Sequence, residues 1–66
     1  MINKALREKR KAAGLSQDGF SRAIDMQMQN YSKKERGLVR ITAPEAVRMA
    51  RILGCTVEDI TPEVEQ

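Results

Sequence analysis

Residues 27–33 carry most of the side chains in this 66-residue sequence that could form specific hydrogen bonds to a ligand. Two glutamines, an asparagine, a serine and a lysine lie here within about two helical turns. Glutamine and asparagine can bond N6 and N7 of adenine, and lysine can donate to O6 and N7 of guanine. An exposed helix face of this composition is usually only a solvated surface, so its chemistry depends on the elements that position it.

Catalytic and metal-binding chemistry has few candidate residues. The sequence contains no histidine, one cysteine and nine scattered acidic residues. General acid–base catalysis and metal sites need clusters of such side chains. We therefore expect no enzymatic activity, no cofactor and no metal.

Two short helices joined by a tight turn are predicted around this segment. In the first, Ser16 can act as the N-cap, and Asp18 places negative charge in the positive first turn. Phe20, Ala23 and Ile24 share one face of this helix, which we expect to be buried.

The turn and the second helix follow directly. Asp25 lies where the chain must reverse, and a short acidic residue tolerates left-handed backbone better than a branched one. Met26 is expected to be buried after the turn. A second helix over residues 27–36 would place Tyr31 and Glu35 inward, one turn apart.

An ordered run of residue types characterises the region from residue 15 to residue 37. It comprises Leu15-Ser16-Gln17, apolar Phe20, small Ser21, apolar Ile24 and Met26, then Tyr31-Ser32 and Glu35-Arg36-Gly37. This run resembles the helix-turn-helix of the Cro and phage-repressor family of DNA-binding proteins, and the resemblance extends from Ile2 to about Ile60. It implies an all-α, compact five-helix lambda-repressor-like domain.

The resemblance also implies roles for individual residues. Base-contact roles fall on Gln27, Met28, Gln29 and Lys33. A phosphate contact falls on Gln17. From their charge and position, Arg22, Lys34, Arg36 and Arg40 are further candidates for phosphate contacts, and Asn30 and Ser32 could equally reach a phosphate or remain solvated. In these proteins the arginine at position 10 pairs with the glutamate of the second motif helix. We therefore expect a structural ion pair between Arg10 and Glu35, which would also explain an arginine on the same helix face as Leu6.

Three further helices complete the expected fold. A first helix over residues 1–13 would end at Gly14 and bury Ile2, Leu6 and Ala13. A fourth helix begins with the capping pattern Thr42-Ala43-Pro44-Glu45. Its expected inward residues are Ala46, Val47, Ala50 and Leu53, with Met49 and Ile52 broadening the stripe. A last short helix follows Thr56. Between the third and fourth helices, the apolar residues of the loop 38–41 would fold onto the core or meet a second subunit.

Charge is distributed unevenly along the chain. Residues 1–41 carry ten Lys or Arg against four acids, a net charge of +6, whereas residues 42–66 carry two against five, a net charge of −3. A phosphate-facing part and a solvent-facing or partner-facing part would produce this asymmetry, although small domains are often unevenly charged without it. A chain this short has a small core, so oligomerisation is expected on stability grounds.

Cysteine usage and hydropathy bear on the compartment. Cys55 is the only cysteine and is interpreted as a small buried hydrophobe, which fits a reducing cytoplasm. We find neither a stretch long and apolar enough to cross a bilayer nor a signal-peptide pattern. Residues 1–62 are predicted to form the helix-turn-helix DNA-binding domain and residues 63–66 a frayed tail.

Together these features predict a sequence-specific binder of duplex DNA that regulates transcription, most simply a Cro-like repressor acting as a homodimer on a near-palindromic operator. The alternative is an antitoxin or adaptor module whose helix-turn-helix mainly binds a protein partner. The acidic carboxyl-terminal part and the apolar loop 38–41 favour that alternative.

Overall fold

The computed structural model describes residues 2–61, and within this range the chain is all-helical. Its elements in chain order are α1 (Lys4–Ala12), α2 (Gln17–Ala23), α3 (Met28–Glu35), α4 (Ala43–Leu53) and α5 (Val57–Ile60). This is the five-helix all-α architecture that the sequence predicts. The predicted tail, residues 63–66, and the predicted ends of the domain at residues 1 and 62 lie outside the described residues.

Side-chain caps start four of the five helices. Ser16 accepts a hydrogen bond from the backbone N–H of Gly19, so the predicted cap of α2 is present. Thr42 with Glu45, and Thr56 with Asp59, form reciprocal capping boxes at the starts of α4 and α5. Each satisfies two backbone N–H groups that would otherwise lack partners.

Left-handed residues end α1 to α4. Gly14, Gly37 and Gly54 have φ values of 75°, 81° and 70°, and Asp25 holds the same position after α2 with φ 60°. The N–H of Met26 then donates to the carbonyl of Ser21 at 2.8 Å, closing the helix end as at the glycines. Asp25 therefore makes the turn of the two-helix motif in the conformation expected from its side chain.

The core is a single cluster to which every helix contributes. Its buried members are Leu6, Phe20, Ile24, Tyr31, Met49, Ala50 and Ile60. Phe20 of α2 and Tyr31 of α3 meet edge to face with ring centroids 5.2 Å apart, an arrangement that adds to the burial of the two rings. This contact fixes α3 against α2.

Three residues expected in the core near α1 and α2 are exposed. Ile2 is half exposed because α1 begins only at Lys4, after the N-cap Asn3. Ala13 lies at the carboxyl-terminal cap of α1, beyond the packed part of that helix. Ala23 is also exposed, since Ser21 rather than Ala23 accompanies Phe20 and Ile24 toward the core.

Helix α4 buries a narrower stripe than expected. Ala46, Met49 and Ala50 are buried and Leu53 packs against the core, at spacings of three and four residues. Val47 and Ile52 each lie outside this stripe and are 41% and 46% exposed, so their predicted burial is wrong.

Only part of the apolar loop between α3 and α4 packs against the core. Ile41 packs against the core, whereas Leu38 and Val39 are 64% and 45% exposed. The structure therefore leaves two neighbouring apolar side chains of this loop open to solvent.

Candidate nucleic-acid interface

The motif α2–turn–α3 is held as one unit by close packing at its crossing. Ser21 is only 1% exposed, and its hydroxyl donates to the carbonyl of Asp18 at 2.8 Å, so the small side chain is satisfied without projecting between the helices. Met26, directly after the turn, is partly buried against the core. The orientation of α3 is thus set by buried contacts rather than by surface groups.

The outward face of α3 presents the residues that the sequence singles out. Gln27, Met28, Gln29, Asn30 and Lys33 are all exposed, and Ser32 is half-buried. Gln27 is the N-cap residue but forms no side-chain capping hydrogen bond, and the first turn of α3 contains no acidic residue. The positive amino-terminal end of α3 therefore has neither a side-chain cap nor an acidic side chain to balance it.

Beneath this face, Arg10 and Glu35 form a buried ion pair. Nε of Arg10 donates to Oε1 of Glu35 at 2.8 Å and Nη2 donates to Oε2 at 3.1 Å, a two-pronged contact between α1 and α3. The third guanidinium nitrogen, Nη1, donates to the carbonyl of Leu15 at 2.8 Å. The ion pair expected from the sequence is thus present, and Arg10 also stabilises the segment that connects α1 to α2.

Two further donors complete the surroundings of Glu35. The hydroxyl of Tyr31 donates to Oε1 at 2.5 Å, and Nε2 of Gln17 donates to Oε2 at 3.0 Å. Burial alone would raise the pKa of Glu35, but the hydrogen bonds from Arg10, Tyr31 and Gln17 outweigh it and lower the pKa. The carboxylate is therefore ionised at neutral pH.

Tyr31 is expected to limit stability at alkaline pH. Its burial and its hydrogen bond to Glu35 raise its pKa above the ordinary value of 10.0, so the folded state holds the phenolic proton more tightly than the unfolded chain. The contribution is complete below pH 10 and decreases as the pH rises further, because only the unfolded chain then loses the proton. Urea titrations should show that the free energy of unfolding decreases more steeply between about pH 10 and 12 for the wild type than for Tyr31→Phe. Parallel curves for the two proteins would contradict this assignment.

Lys34, a predicted phosphate contact, is bonded to two other groups of the chain. Its ammonium is 2.9 Å from Oε1 of Glu45 and donates to the carbonyl of Arg40 at 2.9 Å. Its side chain is only 10% exposed. The lysine therefore fastens the start of α4 and the preceding loop to α3, and it is not free to reach a phosphate without breaking these bonds.

The other phosphate candidates occupy different environments. Arg36 and Arg40 are exposed, at the end of α3 and in the loop after it. Arg22 is exposed as well, with a surface contact of 3.3 Å to Asp18 that solvent weakens. Gln17, the first residue of α2, is half-buried because its amide reaches Glu35. Among the phosphate candidates, the three arginines carry the exposed positive charge.

Asn3 is a residue whose importance the sequence interpretation missed. Its side-chain oxygen caps α1 by accepting from Leu6 at 3.1 Å, and its amide nitrogen donates to the carbonyl of Ile60 at 2.7 Å. Its backbone N–H donates to the carbonyl of Glu35 at 2.8 Å. One residue thus joins the start of α1 to the ends of α3 and α5. An Asn at a helix start signals the cap alone, because the other partners are far away in sequence.

The geometry defines a helix-turn-helix domain in which the second helix of the motif, α3, exposes one face to solvent. A helix-turn-helix family model matches the chain over residues 6–60. The chain belongs to this Cro- and repressor-like helix-turn-helix family, whose function is DNA binding in transcriptional regulation. No curated protein and no solved structure matches the chain significantly.

The described residues, 2–61, contain neither a cluster suited to a metal ion nor a helix suited to span a membrane. No group of three or more His, Cys, Asp or Glu side chains in that range could hold a metal ion. Among the same residues, no helix has the length and apolar character required to span a membrane.

Proposed function

We propose that the chain binds duplex DNA sequence-specifically through the exposed face of α3 and represses transcription as a homodimer on a near-palindromic operator. The observation that carries this proposal is the exposed row of amides and lysine on a helix whose opposite face is locked by Tyr31, Glu35 and Arg10. A rigid support lowers the entropy lost when such side chains form hydrogen bonds to bases. We propose residues 1–62 as the extent of the DNA-binding domain.

Base recognition is assigned to the N-cap of α3, to two residues of its first turn and to one residue a turn farther along the helix. Gln27 and Gln29 suit the N6 and N7 edge of adenine, and Lys33 suits O6 and N7 of guanine. The exposed Met28 can contact a thymine methyl group. Gln27 is the N-cap of α3 and the other three lie within that helix, at the end and on the face that a helix in the major groove would turn toward base edges.

Phosphate contacts are assigned to residues flanking this face. The proposed set is Gln17, Arg22, Asn30, Ser32, Arg36 and Arg40. Lys34 is left out of it because its ammonium is already bonded to Glu45 and to the carbonyl of Arg40. Contacts of this kind fix the register of the protein on the duplex without reading its sequence.

A homodimer is supported by the apolar side chains that the single chain leaves exposed. Leu38, Val39, Val47 and Ile52 are each more than 40% exposed, and burying them against a second copy would add to a small core. A two-fold axis would place two α3 helices about 34 Å apart, in successive major grooves on one face of the duplex.

The test of the proposal is selection of bound sequences from a random duplex pool at about 0.15 M salt, where non-specific binding is weak. Recovery of an inverted repeat with half-sites about one helical turn apart would support specific dimeric binding. If folded protein enriches no sequence, specific DNA binding is not the function of this chain.

Gln29→Ala is expected to reduce affinity for the selected operator by about 1 to 3 kcal/mol and to relax the base preference at one position of each half-site. The reason is the loss of a paired hydrogen bond to one base edge. Repeating the selection with the variant measures both effects. Arg36→Ala serves as the matched control, since a phosphate contact should weaken all sequences alike. An unchanged base preference for Gln29→Ala would show that the reading face is assigned wrongly.

The alternative function is a module that docks a protein, as in an antitoxin or adaptor. The observation that favours it is the exposure of Leu38 and Val39, two neighbouring apolar residues in the loop after α3. NMR spectra of the purified chain over a range of concentrations distinguish the cases, because self-association would perturb these residues as the concentration rises. A stable complex with a different protein that covers them would favour the alternative.

A further inference from the structure

The amide of Gln17 connects the buried network to the surface. Gln17 is half-buried, and one N–H of its side chain donates to Oε2 of Glu35 at 3.0 Å. Glu35 itself is 2% exposed. No buried side-chain oxygen or nitrogen among the described residues lacks a hydrogen-bond partner. The Gln17 amide oxygen, which has no partner among those residues, therefore reaches solvent.

A carboxylate of this kind determines the orientation of an amide that contacts it. Ionised Glu35 can only accept hydrogen bonds, so the nitrogen side of the Gln17 amide must face it. The amide group is planar, and its second N–H is therefore held in a defined direction in that plane. An isolated glutamine on a helix surface would sample several rotamers, each with a different direction.

We infer that Glu35 is a positioning residue for DNA binding: it holds the Gln17 amide so that the second N–H is already oriented toward a backbone phosphate. This inference rests on the proposed DNA-binding function and on Gln17 as a phosphate contact. Glu35 touches no DNA in this arrangement. It raises affinity because the rotamer entropy of Gln17 is lost on folding rather than on binding.

The bond to Gln17 is separable from the structural role of Glu35. Arg10 already bonds both carboxylate oxygens, at 2.8 and 3.1 Å, and Tyr31 bonds Oε1. Gln17 reaches only Oε2. The Tyr31 hydroxyl can therefore be removed without breaking the Gln17 bond, which supplies a control that disturbs the same network on its other oxygen.

The test is a double-mutant cycle on affinity for the selected operator, using Gln17→Met and Glu35→Gln in folded protein at low temperature. In the wild-type background, Gln17→Met should weaken binding about tenfold, as expected for the loss of a hydrogen bond to a charged group. In the Glu35→Gln background the same change should weaken binding less than about twofold, because the bonds that Arg10, Tyr31 and Gln17 made to two charged oxygens then compete for one neutral amide oxygen, which holds the Gln17 amide less firmly. Tyr31→Phe should lower stability and leave the full effect of Gln17→Met intact.

Additive effects of Gln17→Met and Glu35→Gln on affinity would overturn the inference, as would a Gln17→Met variant that binds as tightly as the wild type. Both outcomes leave sequence-specific binding in place, whereas a wild type that binds no duplex overturns the proposed function itself.

A second measurement does not depend on whether Glu35→Gln folds. In NMR spectra of the free wild type, the side-chain amide proton of Gln17 that is bonded to Glu35 should exchange with solvent more slowly than the amide protons of exposed Gln29. Equal exchange for the two glutamines would overturn the inference.

Discussion

Replacing Glu35 with leucine should destabilise the folded domain by about 3 to 5 kcal/mol, because it leaves the guanidinium of Arg10 buried without its charged partner. Arg10 is only 7% exposed, and its carboxylate partner lies at 2.8 Å. The same change removes the acceptor of Tyr31 and of Gln17. A domain of this size has a total stability of only a few kcal/mol, so the variant is expected to be largely unfolded at about 25 °C.

Urea and thermal unfolding followed by circular dichroism measure this effect, and the matched control is a triple variant. Arg10→Met, Glu35→Leu and Tyr31→Phe together remove the charges and the hydroxyl while keeping the volume. Since well-packed apolar replacements of a buried pair are often neutral or stabilising, the triple variant should recover most of the loss. A Glu35→Leu protein as stable as the wild type would show that the pair is not a source of stability.

The acid limb of the stability curve provides an independent check on the same pair. Because the pKa of Glu35 lies below its ordinary value of 4.5, the stabilisation is complete above that pH and is lost as the pH falls through the lower pKa of the folded state. Wild-type stability should therefore decline below about pH 4.5, and the triple variant should decline less steeply.

The ion pair could be predicted because local and family-level signals agree. Arg10 lies on the same helix face as Leu6, and an arginine on a buried face requires a charged partner. The resemblance identifies Glu35 as that partner. The helix starts at Ser16, Thr42 and Thr56 were equally accessible, since a capping pattern is complete within four residues of sequence.

What the sequence could not supply depends on contacts between distant segments. Lys34 has the pattern of an exposed cation, and only the folded chain brings Glu45 and the carbonyl of Arg40 within 2.9 Å of its ammonium. Asn3 bonds the carbonyl of Ile60, which lies 57 residues away. No periodicity encodes either contact.

The width of a buried helix face is a second quantity that periodicity leaves undetermined. Helix α4 has apolar residues on more than one face, and the neighbours available to it cover only the stripe through Met49 and Ala50. Val47 and Ile52 fall outside because nothing else in the described chain packs over them. Their apolar character would be explained by the proposed second copy.

Salt dependence is expected to distinguish the proposed dimer from a single bound chain. If Arg22, Arg36 and Arg40 each neutralise one phosphate, a dimer makes about six such contacts and a monomer about three. The slope of log affinity against log salt should then be about −5 for the dimer and about −3 for the monomer. Between about 50 and 200 mM salt, the dimer would lose about a thousandfold in affinity and the monomer about sixtyfold.

Fluorescence anisotropy with the selected operator over this salt range measures the slope, and two variants locate its source. Arg36→Ala should reduce the slope of a dimer by about two, one contact from each copy. Lys9→Ala is the matched control, because Lys9 is an exposed cation on α1, outside the motif. Its charge lies close enough to Asp59 of α5 to lower the pKa of that carboxyl, in addition to the larger effect of the hydrogen bonds with Thr56. Its removal should leave the slope unchanged. A wild-type slope of about −3 would mean that each operator complex contains the phosphate contacts of one chain only, and a second copy bound to DNA would then not explain the exposed apolar side chains of α4.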